Sequence, residues 1–196
     1  MLITTRKPIL TLPIDGTRQE GLHVSGIIRS LALAAKVLVS SDSSEDMADR
    51  KITDRVAILR MLLGIAWERL LATLLPHITD HPGPLEVDKV HMSPDGISFH
   101  TTIGVVLHEF KLTWKSSNRP LQEEWMWLTQ IKAYCFGVGT IHAVLHVYYV
   151  CGDYTYPIQP EYIEYDIVFE PTEVTANWNM LLDYARGKGA LDAKPV

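Results

Sequence analysis

Between His91 and Ser117 the chain reads HMSPDGISFHTTIGVVLHEFKLTWKSS. A Ser-Pro-Asp-Gly turn leads into an apolar run that nonetheless carries Glu109 and Lys111, two residues apart. In an extended segment that spacing puts both on one face, with Phe110, Leu112 and Trp114 on the other. Asp95 stands at the turn, where a hairpin can return it beside Glu109. Two carboxylates converging without a clear cationic cluster repel each other, and a divalent cation with oxygen ligands is the natural remedy. Such an ion activates a water and stabilises charge on a phosphoryl oxygen. An adjacent lysine orients or deprotonates that water, or offsets developing negative charge. Each piece alone has a plain reading: Ser-Pro-Asp-Gly is ordinary turn chemistry, and Glu-x-Lys is common on a solvated strand face.

The elements that must position these residues follow from periodicity. Leu85 to Met92, Ile97 to Ile103 and Val105 to Trp114 alternate as strands, with Asp95 between the first and second. Ser25 is placed to cap a helix from Gly26 to about Val39, and a long helix follows from about Ile52 to Leu75. Leu121 to about Val138 has helical spacing. Ile141 to Val150 and Tyr162 to Phe169 read as strands. Thr172 opens a last helix that ends near Gly187. Residues 1–20 read as an N-terminal arm, 40–50 as a mobile acidic loop and 187–196 as a tail. The expected organisation is one α/β domain over residues 1–196, with a central mixed β-sheet flanked by helices.

Composition narrows the function classes. The chain has 196 residues, 47% of them hydrophobic and 21% charged, which suits a domain with a real core. A net charge of −5 argues against coating nucleic acid through bulk positive charge, but not against touching a few phosphates through a metal. No apolar run has membrane-spanning length, and the N-terminus shows no signal-peptide pattern. A cytoplasmic setting without membrane partners is expected. Cys135 and Cys151 make no disulfide framework. His91, His100, His108, His142 and His146 lack zinc-like spacing and are read as packing or surface residues. Trp125 and Trp127 fall on different faces of their helix, so at least one is expected in the core.

Two further constellations bear on the site. Gln130 and Tyr134 are one helical turn apart and share a face. That face is either the site or the margin of the core. Glu68 lies in an otherwise apolar segment, where an unpaired carboxylate is costly. It is a metal ligand, a salt-bridge partner or an exposed residue.

Taken in order, Pro94-Asp95 and Glu109-Phe110-Lys111 resemble the signature of the PD-(D/E)XK nuclease superfamily. Gln130-Ile131-Lys132-Ala133-Tyr134 resembles the Gln-x-x-x-Tyr motif of its RecB-like branch. Gly64-Ile65-Ala66-Trp67-Glu68 resembles the upstream Gly-x-x-x-Glu helix of lambda-exonuclease-like (YqaJ-like) members, and Ser93-Pro94-Asp95-Gly96 is similar to their aspartate motif. His23-Val24-Ser25 is similar to the segment that opens many phage and RecB-like nucleases. The resemblance runs from about Leu22 to Val150.

It implies a restriction-endonuclease-like core and a metal-dependent DNA nuclease. Asp95, Glu109 and Glu68, with the backbone carbonyl of Phe110, would hold one or two Mg2+ or Mn2+ ions. Lys111 would be catalytic, with Gln130 and Tyr134 supporting it or the scissile phosphate. Ser25, Arg29, Lys115, Ser116 and Arg119 are candidate DNA contacts, against a plain reading as solvated surface groups. The upstream helix lacks the histidine that many RecB-like members carry; Trp67 and Glu68 occupy that region. Two cysteines exclude the four-cysteine iron–sulfur cluster of one branch within a single chain. The expected activity is exonucleolytic, in phage-type recombination, repair or DNA processing, in the host cytoplasm if phage-encoded. The expected partners are DNA and a single-strand annealing protein or further copies of the chain. The alternatives are a restriction-type endonuclease and a non-catalytic DNA-binding or assembly protein.

Overall fold

The structure is a computed structural model that describes residues 21–35, 55–80 and 82–191. The described elements are β1 (Leu22–His23), α1 (Val24–Ala34), α2 (Arg55–Leu74), β2 (Thr79–Asp80), β3 (Leu85–Val87) and β4 (Val90–Met92). They continue with β5 (Gly96–His100), β6 (Gly104–Thr113), α3 (Trp125–Val138), β7 (His142–Tyr149), β8 (Glu161–Val168) and α4 (Pro171–Gly187). A short 3-10 turn, Leu121–Glu123, leads into α3.

Five strands form the main sheet in the order β2-β5-β6-β7-β8. β6 and β7 run parallel, because α3 carries the chain back between them; the other pairs are antiparallel. A small second sheet, β1-β4-β3, pairs β1 parallel and β3 antiparallel to β4. This is the mixed α/β architecture expected from the sequence.

The strand expected over Leu85 to Met92 is a correction: it is a hairpin, β3 and β4. Asp88 and Lys89 have φ of 51° and 64°, the left-handed pair a tight two-residue turn requires. The hairpin that returns Asp95 is therefore not between the first two expected strands, which lie in different sheets, but between β5 and β6. The first helix begins at Val24, with His23 rather than Ser25 at the N-cap, so Ser25 sits in its first turn. The last helix is capped by Glu170 instead of Thr172: the Glu170 side chain accepts from the backbone of Glu173, and the Glu173 side chain accepts from the Glu170 N–H. The expected arm 1–20 and loop 40–50 lie outside the described residues, as do 192–196 of the expected tail.

The main core lies on the sheet face bearing Leu107, Ala143, Leu145 and Val147. α1 supplies Val24, Ile27, Ile28 and Ala32, and α4 supplies Val174, Trp178, Leu181, Leu182 and Ala185, each a helical stripe. α3 packs so closely on β4 that a Cβ at Gly137 would lie 2.1 Å from Met92 Sδ. On the opposite face, α2 covers a smaller cluster of Leu71, Ile78 and Phe110, with Trp67 and Leu75 at its margin.

Candidate active site

β6 is a central strand, and its period of two directs Glu109 and Lys111 to the α3 side while Phe110 enters the cluster under α2. Gly96 pairs with His108, so Asp95, one residue before β5, stands opposite Glu109. The Phe110 N–H donates to Asp95 Oδ2 at 2.8 Å, which fixes that carboxylate against β6. The turn and the Glu-x-Lys strand thus meet as the sequence spacing requires.

Lys111 Nζ donates to Glu109 Oε1, and to Gln130 Oε1 at 3.2 Å. Gln130 Nε2 in turn donates to the Tyr134 hydroxyl at 3.0 Å. The lysine is therefore held between a strand carboxylate and a helix amide, and the amide is itself oriented by a buried phenol. Gln130 and Tyr134 share the face expected of them, and that face meets Lys111.

Glu109 is only 1% exposed, and its Oε2 is buried without a hydrogen-bond partner. Burial pushes its pKa up to about 8; the Asp95 charge adds to this, Lys111 partly offsets it, and Glu68 adds a smaller push. Burial alone would lower the Lys111 pKa, but the Glu109 and Asp95 carboxylates outweigh it and hold the ammonium charged. Tyr134 is raised by burial and by Glu109, so it remains a phenol and a hydrogen-bonding group.

A buried carboxylate oxygen without a partner, next to a second carboxylate, is donor chemistry suited to a hard divalent cation. Asp95 and Glu109 fit such an ion. Glu68 lies half-buried on α2, near enough to weigh on Glu109. Among the described residues, no group of three or more His, Cys, Asp or Glu side chains is gathered as a ready-made metal cage.

A groove of about 470 Å³ opens beside Lys111 and Gln130, lined also by Ser25, Lys115, Arg119, Glu124 and Trp127. Lys115 Nζ pairs with Glu124 Oε2 and sits 4.8 Å from the centre of the Trp127 ring. Arg119 Nε approaches Glu124 Oε1 at 3.1 Å as an ion pair without hydrogen-bond geometry, and Glu123 Oε2 at 3.3 Å. Lys115 and Arg119 are thus held by a buried carboxylate, not loose in solvent. Ser25 and Arg29 are both exposed, one turn apart on α1, but only Ser25 lines the groove. Ser116 accepts from the Asn118 N–H at 3.3 Å within its own turn. Trp125 and Trp127 both border the groove, and both pack, partly buried, against the main core. A larger hollow of about 540 Å³, between Val105, Phe136 and Val174, contains none of the candidate catalytic residues.

Sequence reasoning missed two groups. Glu124 is 5% exposed, yet only its place in the run Gln122-Glu123-Glu124-Trp125 marked it, and that is also how a solvated loop reads. His108 and His146 are buried, as packing residues are, but they form a hydrogen-bonded chain. His108 Nε2 meets Ser98 Oγ at 2.8 Å, its Nδ1 meets His146 Nε2 at 2.9 Å, and His146 Nδ1 meets the Tyr162 hydroxyl at 2.7 Å.

No family model matches the chain, and no curated protein matches it. Solved structures do. LHK-Exo, an alkaline exonuclease from Laribacter hongkongensis, has a complex with dAMP that is 13% identical at a TM-score of 0.47, covering 86% of this chain and 89% of that one. A phage related exonuclease from Haemophilus somnus 129PT is 8% identical at a TM-score of 0.46, covering 83% and 79%. The protein SSO0001 is 12% identical at a TM-score of 0.46, covering 87% and 79%. These are likenesses in structure, and none transfers an activity to this chain.

Proposed function

We propose that the chain is a metal-dependent DNA nuclease that hydrolyses phosphodiester bonds from DNA ends. The observation that carries this reading is the buried, unpartnered Oε2 of Glu109, set beside Asp95 with Lys111 clamped between Glu109 and Gln130. Asp95, Glu109 and the Phe110 carbonyl, with Glu68 from α2, would hold Mg2+ or Mn2+. A cation there supplies Lewis acidity toward a phosphoryl oxygen and a lowered pKa for water. Lys111 presents a fixed ammonium to the attacking water and the developing charge. Gln130 and Tyr134 keep it from swinging away, and Lys115, Arg119 and Ser25 receive the flanking backbone. The setting that suits this activity is phage-type recombination or repair.

The test is digestion of end-labelled linear DNA and covalently closed circles with Mg2+, with Mn2+ and with EDTA. Linear DNA is expected to shorten from its ends, circles to survive, and EDTA to stop the reaction. Discrete fragments from circles would favour a restriction-type endonuclease instead. No cleavage of any DNA with either metal would overturn the reading.

A further inference from the structure

β8 is the terminal strand of the main sheet, and among the described residues nothing pairs with its outer edge. Its eight residues are all half-buried or exposed, and its register with β7 runs without a bulge. Edges of this length are usually blunted by charged side chains, lysine above all, by proline or by a bulge, because open backbone donors and acceptors invite another strand. β8 has no lysine, proline or bulge, and acids of a single sign turn away like-charged strands while leaving the edge open to a basic one. Its only charges are Glu161, Glu164 and Asp166. Glu164 and Asp166 share a face with Tyr162 and Val168, which are 42% and 67% exposed. The loop feeding the strand adds Tyr156, 91% exposed, and Ile158, 56% exposed.

Those carboxylates select among occupants. A second copy paired through the same edge would bring acids against acids, which cross-strand pairing disfavours. Nucleic acid is repelled by the same charges. An extended segment with Lys or Arg at alternate positions meets Glu164 and Asp166 with opposite charge while its backbone continues the ladder. Tyr156 and Ile158 offer apolar anchors at the start of the strand. We propose that the outer edge of β8 is a docking site for a basic, extended segment of a protein partner, added as a sixth strand. The site lies two strands from β6 and stands independently of the nuclease reading.

The probe is a fluorescein-labelled peptide of alternating Lys and Val, with an alternating Glu and Val peptide as control, titrated into the full chain by anisotropy. Saturable binding of the basic peptide is expected, about ten-fold or more tighter than the acidic one. Backbone amides of β8 should exchange more slowly in the complex. The E164K/D166K variant should weaken binding about ten-fold. Because Glu164 also accepts from Tyr162, D166K alone serves as a milder variant that leaves that bond intact, and it should weaken binding about three-fold. Absence of binding, equal binding of the two peptides, indifference to both variants, or slowed exchange elsewhere would overturn the proposal. So would β8 amides already protected in the free monomer, which would mean the chain covers its own edge. A concentration-dependent dimer lost in the variants would assign the edge to a second copy and overturn it as well.

Discussion

At Glu109 two requirements conflict. A carboxylate on a central strand facing the core should be neutral or fully paired, yet half of this one has no partner. Burial and Asp95 push it toward the protonated acid, while Lys111 pulls it toward the anion. Glu109→Gln removes that conflict along with the proposed ligand. Cleavage should fall at least about 100-fold while the melting temperature holds within a few degrees, as read by a gel assay alongside calorimetry. Lys111→Ala should lose as much activity. Gln130→Ala acts through the lysine: kcat should drop about ten-fold with DNA affinity unchanged, in single-turnover and anisotropy measurements on the same preparation. Equal losses in affinity would show that Gln130 contacts DNA and does not position Lys111. This part of the site was legible because its spacing is local: two residues along a strand, four along a helix. Glu124 was not legible, since its partners Lys115 and Arg119 reach it only through the folded loop.

Among the elements, α3 does two jobs: it crosses from β6 to parallel β7, and it presents Gln130 and Tyr134 to the strand it leaves behind. Its seat depends on Gly137. Gly137→Ala drives a methyl into Met92 Sδ and should cost about 1–3 kcal/mol in urea unfolding. In a Met92→Ala background the same Gly137→Ala change should cost less than it does in the wild type, and an equal cost in both would place the strain elsewhere. The sequence pattern found this helix and the long strands, whose periods are clear. It read β3 and β4 as one strand because Asp88 and Lys89 carry no glycine to announce a left-handed turn. β1, two residues long, has too few residues to show a period at all.

For the whole molecule, the buried histidines set an acid limit. His108 titrates near pH 4 in the fold against 6.5 as a free group, chiefly through burial and then through the charges of His146 and His77, with Glu164 opposing. Burial lowers His146 too. The unfolded chain therefore binds more protons between those values. The contribution to stability is complete above pH 6.5 and is lost as pH falls toward 4. The loss should be on the order of 2 kcal/mol after allowance for solvent screening. The difference in urea midpoint between the wild type and His108→Gln, measured from pH 4.5 to 8, should grow up to pH 6.5 and then level, while the raised Glu109 carboxyl pulls both absolute midpoints down over the same range.

One bond closes the molecule on itself: Trp178 Nε1 of α4 donates to Asp88 Oδ2 of the β3–β4 turn at 2.8 Å, across 90 residues of chain. Trp178 is also among the largest fully buried side chains. The segment carrying Asp95 through Tyr134 leaves the ribosome before the helix that seals its core. During synthesis the nascent sheet waits with its apolar face open, and assembly becomes cooperative only once the last helix arrives.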